Sequence, residues 1–359
     1  QGTKEEFFRL HDHAAAGLKR ALPSARIGGP HVTGPNGERT QQFLRDFLEH
    51  TLRGTNYATG EVGSPLDYVG FHAKGSPRVM PEGHVRMSVA NQLRAIDNGF
   101  RIVASFPELE GIPIIIGESD PEGCAACPVA TDPHNAYRNG TMYSSYTAEQ
   151  LARTYQLRDL HGVNLLGSVT WAFEFENQPW FYGFRDLATN GVDKPVLNVF
   201  RMLGKMGGDR VLVESTGALS VEEVRDRSVR GKADIGALAS RNDSSVAVLV
   251  WHYHDDDLLA PEADVVVTLE GLPEGRPVLS HWRIDQDHSN AYARWLEMGS
   301  PQPPTPIQVE ELESAGKLEA LLAPAPLTII QGRAVIPFRL PRQGVSLITL
   351  TWREEGDPS

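Results

Sequence analysis

Across 359 residues, hydrophobic side chains make up 40% and charged ones 22%, the balance of a globular chain long enough for two domains with ordinary cores. The formal net charge is −12, with 46 Asp and Glu against 34 Lys and Arg, which argues against nucleic acid as a partner. Only two cysteines occur, so disulfides do not hold the fold together, and no apolar run approaches the roughly 18 residues of a membrane span.

The chain opens Gln1-Gly2-Thr3-Lys4-Glu5-Glu6, with no apolar signal core and no initiator Met. It reads as the interior of a longer chain or a processed end, and as a soluble protein of a bacterial cytoplasm or periplasm. Thr3 and Glu6 have capping-box spacing, and Phe7, Phe8, Leu10, Ala14, Ala15, Leu18 and Leu22 follow at helical intervals up to Pro23. Residues 25–30 predict a short strand that breaks into a loop. Residues 40–53 predict an amphipathic helix with Phe43, Leu44, Phe47 and Leu48 on one side. Residues 66–72 predict a strand ending on His72, and 85–106 a long helix. Residues 113–116, Pro-Ile-Ile-Ile, suit a strand buried on both faces, stopped by Gly117 and followed by Glu118 and the turn formers Asp120, Pro121, Glu122 and Gly123. A helix over 147–161, a strand over 167–171 and a helix over 195–206 complete four βα-type units, which argues for a parallel sheet with outer helices.

Near Gly207 the character changes. Residues 246–253, 264–269, 278–284, 334–340 and 346–352 predict strands separated by Gly/Pro-rich turns, the pattern of an antiparallel β-sandwich. Residues 301–306 form a proline-rich connector, 307–322 predict one helix among the strands, and 354–359 predict a frayed tail. The expected domains are therefore 1–207 and 208–359.

Three strand ends carry functional side chains: His72, Glu118 and Trp171. After Trp171 the chain runs Ala-Phe-Glu-Phe-Glu-Asn-Gln-Pro-Trp through Trp180, a mixture of aromatics, carboxylates and an amide suited to lining a sugar site. Taken singly, Glu118 also fits a loop-capping carboxylate, His72 a satisfied core histidine, and the aromatics core packing. Their combination on neighbouring strand ends points to a sugar site. Cys124-Ala-Ala-Cys127 lacks the further ligands of a zinc centre, and His134 alone does not complete one. No metal or cofactor is expected there, and the loop reads as a site rim with free thiols or a local disulfide. His252 and His254 share a strand face beside Asp255, Asp256 and Asp257, where a solvated turn is expected over a metal site. No Gly-rich phosphate loop is present.

The order His-Ala at a strand end, Gly-Glu-Ser-Asp, then Thr-Trp-Ala-Phe-Glu-Phe resembles glycoside hydrolase family 39. So do Gly183-Phe184-Arg185, Gly191 to Phe200, and Arg283-Ile-Asp-Gln-Asp-His-Ser-Asn-Ala-Tyr292 followed by Trp295 and Met298-Gly-Ser-Pro301. The resemblance implies a retaining β-xylosidase or α-L-iduronidase on a (β/α)8 TIM barrel with an appended β-sandwich, the β-xylosidase branch first, acting on xylo-oligosaccharides or xylosides. It implies Glu118 as nucleophile on the seventh barrel strand, His72 ending the sixth, and Trp171 ending the eighth and walling the sugar subsite. Glu176 and Glu174 would bind sugar hydroxyls. The family's general acid/base is the Glu of an Asn-Glu-Pro motif, which occurs nowhere here. The first helix resembles the one that follows that motif. The chain is therefore expected to be the C-terminal half of the barrel plus the sandwich, with its acid/base upstream and no activity alone; a non-catalytic carbohydrate-binding relative is the alternative. Xylosidase and iduronidase would differ in a cation for the substrate carboxylate, with Lys74, Arg138 and Arg185 as candidates.

Overall fold

In the computed structural model, residues 2–352 are described; the tail expected to fray, 354–359, lies outside them. The chain forms two compact units. The first takes the chain up to Ser76, Val89–Gly123 and Arg153–Trp171; the second takes Pro77–Ser88, Cys124–Ala152 and the chain from Ala172 onward.

In the first unit α1 (Lys4–Ala21) starts at the capping box read from Thr3 and Glu6, with Glu6 N donating to Thr3 Oγ1 at 3.2 Å and Thr3 N to Glu6 Oε2 at 2.6 Å. After β1 (Gly28–Val32) comes α2 (Glu38–Arg53), whose Phe43 and Phe47 meet Phe7 and Phe8 at ring distances of 5.3–6.0 Å. Next are β2 (Tyr68–Lys74), α3 (Val89–Ala104), β3 (Pro113–Asp120), α4 (Thr141–His161), of which the turns from Arg153 belong here, and β4 (Asn164–Ser168). The helix expected from residue 85 begins only at Val89, because Val85 and Arg86 pair with Arg78 and Val79 in a short antiparallel ladder. The strands form one parallel sheet in the order β1-β2-β3-β4. Val69, Phe71, Ile114 and Ile116 are fully buried in its centre, with Phe71 edge-on to Phe100 of α3. Among the described residues β1 and β4 each pair on one side only, and Leu166 of β4 is 57% exposed.

The second unit holds α5 (Pro195–Gly204), β5 (Asp209–Val211), α6 (Val221–Arg227), β6 (Asp234–Arg241), β7 (Ser245–Tyr253), β8 (Ala263–Leu269) and β9 (Val278–Ile284). It continues with α7 (Ala291–Glu297), α8 (Pro306–Gly316), β10 (Glu319–Pro326), β11 (Ala334–Leu340) and β12 (Val345–Thr351). A six-stranded antiparallel sheet runs β10-β9-β12-β7-β6-β5, and β8 pairs with β11. The two sheets share an apolar cluster of Ala239, Val248, Val250 and Leu340, with Val265, Val267 and Phe338 against it. The helix expected over 307–322 ends at Gly316, and Glu319 onward is strand β10. Its Ala and Leu residues favour helix locally, and pairing with β9 overrides that preference. Strand β6, with Gly236 and three alanines or serines, carried too weak a β signal to be read beforehand. No described helix is long and apolar enough to cross a membrane.

Candidate active site

Three of the expected site residues lie in the first unit, at or just past the C-terminal ends of β2, β3 and β4. Strand geometry assembles them. Side chains two apart share a face, so His72 and Lys74 project together from β2, and Glu118 and Asp120 from β3. The β2–β3 register then skips one residue: Phe71 pairs with Ile116, but His72 pairs with Glu118. Gly117 is the extra residue of this bulge, and the skip sets the polar pair of β2 opposite that of β3.

Lys74 is the hub. Its Nζ lies 2.7 Å from Glu118 Oε2 and 2.5 Å from Asp120 Oδ2, so one ammonium serves two carboxylates. Asp120 is fully buried, and its Oδ1 also accepts from Thr170 Oγ1 at 2.6 Å and from the Trp171 backbone N–H at 3.0 Å. Asp120 thus anchors the segment leaving β4, while the Trp171 side chain stays outside the core, the residue being 48% exposed. His72 Nδ1 stands 3.5 Å from Glu118 Oε2. Burial lowers the His72 pKa, and the Glu118 charge acts in the opposite sense. Gln92 Nε2 donates to Ser119 Oγ at 2.9 Å, and Asn91 Nδ2 to the Lys74 carbonyl at 2.9 Å, so α3 braces both strand ends.

Sequence reasoning singled out Glu118 and His72 but passed over Asp120 as a site residue, reading it as a turn former. The period-two spacing of Gly-Glu-Ser-Asp was the available signal, since it sets two carboxylates on one face of a continuing strand. His31 was also passed over. Its ring centroid lies 5.7 Å from that of His72.

Glu174 and Glu176 belong to the second unit, as exposed carboxylates in an irregular segment. Arg138 and Arg185, weighed as cations for a substrate carboxylate, are both fully buried. Arg138 donates to the carbonyls of Cys124, Ala125, Cys127 and Gly183 and so holds the Cys124–Cys127 loop from within. Those cysteines form a disulfide. With Asp132 they are the grouping of metal-ligand type among the described residues, but sulfurs joined to each other do not donate as thiolates. The solvated turn expected at His252 and His254 is not found. Both are buried at the end of a central strand: His252 Nδ1 is 2.9 Å from the Leu340 carbonyl, and His254 Nδ1 accepts from Asp256 N.

The first unit thus sets a carboxylate at the end of a parallel strand inside a polar cluster, and the second unit holds antiparallel sheets. The profile of glycosyl hydrolases family 39 matches residues 1–331, and the chain belongs to that family. It is 24% identical over 381 residues to α-L-iduronidase of Mus musculus, covering 98% of this chain and 55% of the relative. It is 24% identical over 325 residues to β-xylosidase of Caldicellulosiruptor saccharolyticus, covering 89% of this chain and 58% of the relative. The chain thus spans little more than half of each. Among solved structures, the bacterial orthologue of human α-L-iduronidase superposes with a TM-score of 0.76 at 19% identity, covering 99% of this chain and 60% of that one. A monomeric β-xylosidase from Caulobacter crescentus superposes with a TM-score of 0.72 at 20% identity, covering 98% and 66%. At these identities the likeness is one of fold.

Proposed function

We propose that this chain supplies the nucleophile, Glu118, of a retaining glycoside hydrolase. The observation that carries the reading is Glu118 at the C-terminal end of a buried parallel strand, 2.7 Å from Lys74 and 3.5 Å from His72. In such enzymes active-site groups sit at the C-terminal ends of the barrel strands. A Glu118 oxygen attacks the anomeric carbon as the bond to the leaving-group oxygen breaks, and the resulting ester is then hydrolysed by water. Esterification removes the Glu118 charge, and Lys74 keeps Asp120 as its counter-ion, so the ammonium is balanced at every stage. His72 and Trp171 are read as sugar contacts, and Glu174 and Glu176, on resemblance alone, as hydroxyl acceptors.

Retention needs a second carboxyl about 5 Å away as acid/base. Asp120 is buried and engaged by Lys74, Thr170 and Trp171, which does not suit it to deliver a proton to a leaving group. We read residues 1–207 as the last four units of a (β/α)8 barrel and 208–359 as its accessory sandwich, with the acid/base supplied from outside these 359 residues. The one-sided edges of β1 and β4 and the partial coverage of the relatives support this.

The substrate read from the sequence is a β-xyloside. A specific observation favours a second reading, an α-L-iduronide or similar uronide: Lys74 sets an ammonium at the nucleophile, where a substrate carboxylate would find a partner. The test is to incubate the full-length protein with 4-nitrophenyl β-D-xyloside and 4-nitrophenyl α-L-iduronide and to label it with the 2-fluoro analogue of whichever is cleaved. The adduct is expected on Glu118; an adduct on another residue sinks the assignment.

A further inference from the structure

We propose that His31 is a substrate-binding residue of this site, a bulged histidine whose imidazole is set beside Glu118 to hydrogen-bond a hydroxyl of the bound glycoside. The inference rests on the reading of Glu118 as nucleophile. Its grounds are separate.

The first ground is the backbone. In the β1–β2 ladder Pro30 pairs with Gly70 and Val32 with Phe71, so His31 is the extra residue of a second bulge. Its φ is +54°, a left-handed conformation uncommon for a residue with a Cβ. Bulges re-aim side chains, and backbone strain of this kind concentrates where function requires a fixed geometry.

The second ground is the space made for the ring. A Cβ on Gly70 of β2 would collide with the His31 ring, and one on Gly117 of β3 would lie 2.6 Å from Nδ1. Glycine at these two positions on adjacent strands opens the slot that the imidazole fills. Gly117 is also the bulge that sets His72 opposite Glu118.

The third ground is what the ring does not bind. Several other histidines spend ring nitrogens on protein groups: His161 on Asp97 at 2.8 Å, His252 on Leu340 O at 2.9 Å, His281 on Ser346 Oγ at 3.0 Å. Half-buried His31 makes no hydrogen bond to protein through its ring among the described residues; its neighbours are the His72 ring at 5.7 Å, the Tyr68 ring at 6.0 Å and the Glu118 charge. Burial lowers its pKa, with the Glu118 charge acting against that shift, which favours the neutral ring. A neutral imidazole offers one donor and one acceptor, and a sugar hydroxyl, itself both donor and acceptor, can pair with either.

The experiment uses the full-length protein and the cleaved 4-nitrophenyl glycoside, with its 2-, 3- and 4-monodeoxy analogues. His31→Gly is the variant, because glycine adopts the left-handed φ freely and leaves the fold unstrained. The expected result is a loss in kcat/KM of about tenfold on the parent glycoside, with no loss on the one analogue that lacks the bound hydroxyl. An equal loss on the parent and all three analogues overturns the proposal and assigns His31 a structural role. A 2-fluoro adduct elsewhere than Glu118, or cleavage of neither glycoside, overturns the nucleophile reading itself, so the two failures are told apart.

Discussion

Lys74 is the residue on which the candidate site depends, because it stands between two carboxylates that would otherwise face each other without a cation. Lys74→Met removes that charge and leaves the buried Asp120 carboxylate without its ammonium partner. A charge-assisted hydrogen bond contributes roughly 1.5–3 kcal/mol, so kcat/KM is expected to fall by about ten- to a hundredfold on either glycoside. If the substrate is a uronide, the fall on 4-nitrophenyl α-L-iduronide exceeds that on the β-xyloside. Equal falls on both would remove Lys74 as a carboxylate receptor. Glu118→Ala should abolish the glycosyl-enzyme, and azide, small enough to enter the space vacated, should partly restore release of nitrophenol. Failure of azide to restore any turnover would count against Glu118 as the attacking group.

At the level of elements, the sheet of the second unit holds two buried titratable groups with opposite pH dependence. Asp255, just past β7, is pushed up to about 6 by burial, although Tyr253 Oη and Arg230 Nε donate to it. An exposed Asp titrates near 4, so between about pH 4 and 6 the folded state holds a proton that the unfolded chain has released. Its contribution to stability therefore falls as pH rises through that window. His281 on β9 is lowered to about 4 by burial and by the Arg283 charge. Between about pH 4 and 6.5 the unfolded chain binds the extra proton, so this contribution rises with pH and is lost as pH falls. Each is worth roughly 3 kcal/mol across its window, and the two largely offset each other. Asp255→Asn should make unfolding free energy climb more steeply with pH between 4 and 6.5, and His281→Gln should make it climb less. Urea unfolding at half-unit pH steps measures both slopes; an unchanged slope in either variant contradicts the assigned cause.

At the scale of the whole molecule, the parallel sheet is the exposed part of the architecture among the described residues. Strands β1 and β4 each present one unpaired side among the described residues, and β4 is half exposed, whereas strands of parallel sheets are ordinarily covered on both faces. Unpaired strand edges template association. Each buried-type polar group left without a partner costs about 1–3 kcal/mol, against a typical domain margin of about 5–15 kcal/mol. The 359 residues expressed by themselves are therefore expected to be inactive on aryl glycosides and to self-associate through the first unit. Size-exclusion chromatography with a turnover assay decides it: a monomer that cleaves either glycoside refutes both the missing carboxyl and the open-edge argument.

Much of this molecule was legible in the residues alone, for local reasons. The Thr3–Glu6 cap, the apolar faces of α1 and α2, and the strands 278–284 and 334–340 depend on spacing within a few positions, and spacing is what a sequence displays. The run Pro-Ile-Ile-Ile-Gly-Glu likewise announced a strand with a carboxylate near its end, although burial alternates along it rather than covering both faces and the strand runs past Gly117 to Asp120. What surrounds that carboxylate was decided only by tertiary structure. Lys74 and Asp120 lie 46 residues apart, and they meet because the β2–β3 register slips by one at Gly117. His31 reaches the same neighbourhood through a second slip, at β1. The same holds for β10, helical by composition and strand by partnership with β9. A one-residue register shift reverses which face a side chain occupies, and register is set by hydrogen bonding between distant strands rather than by any local period.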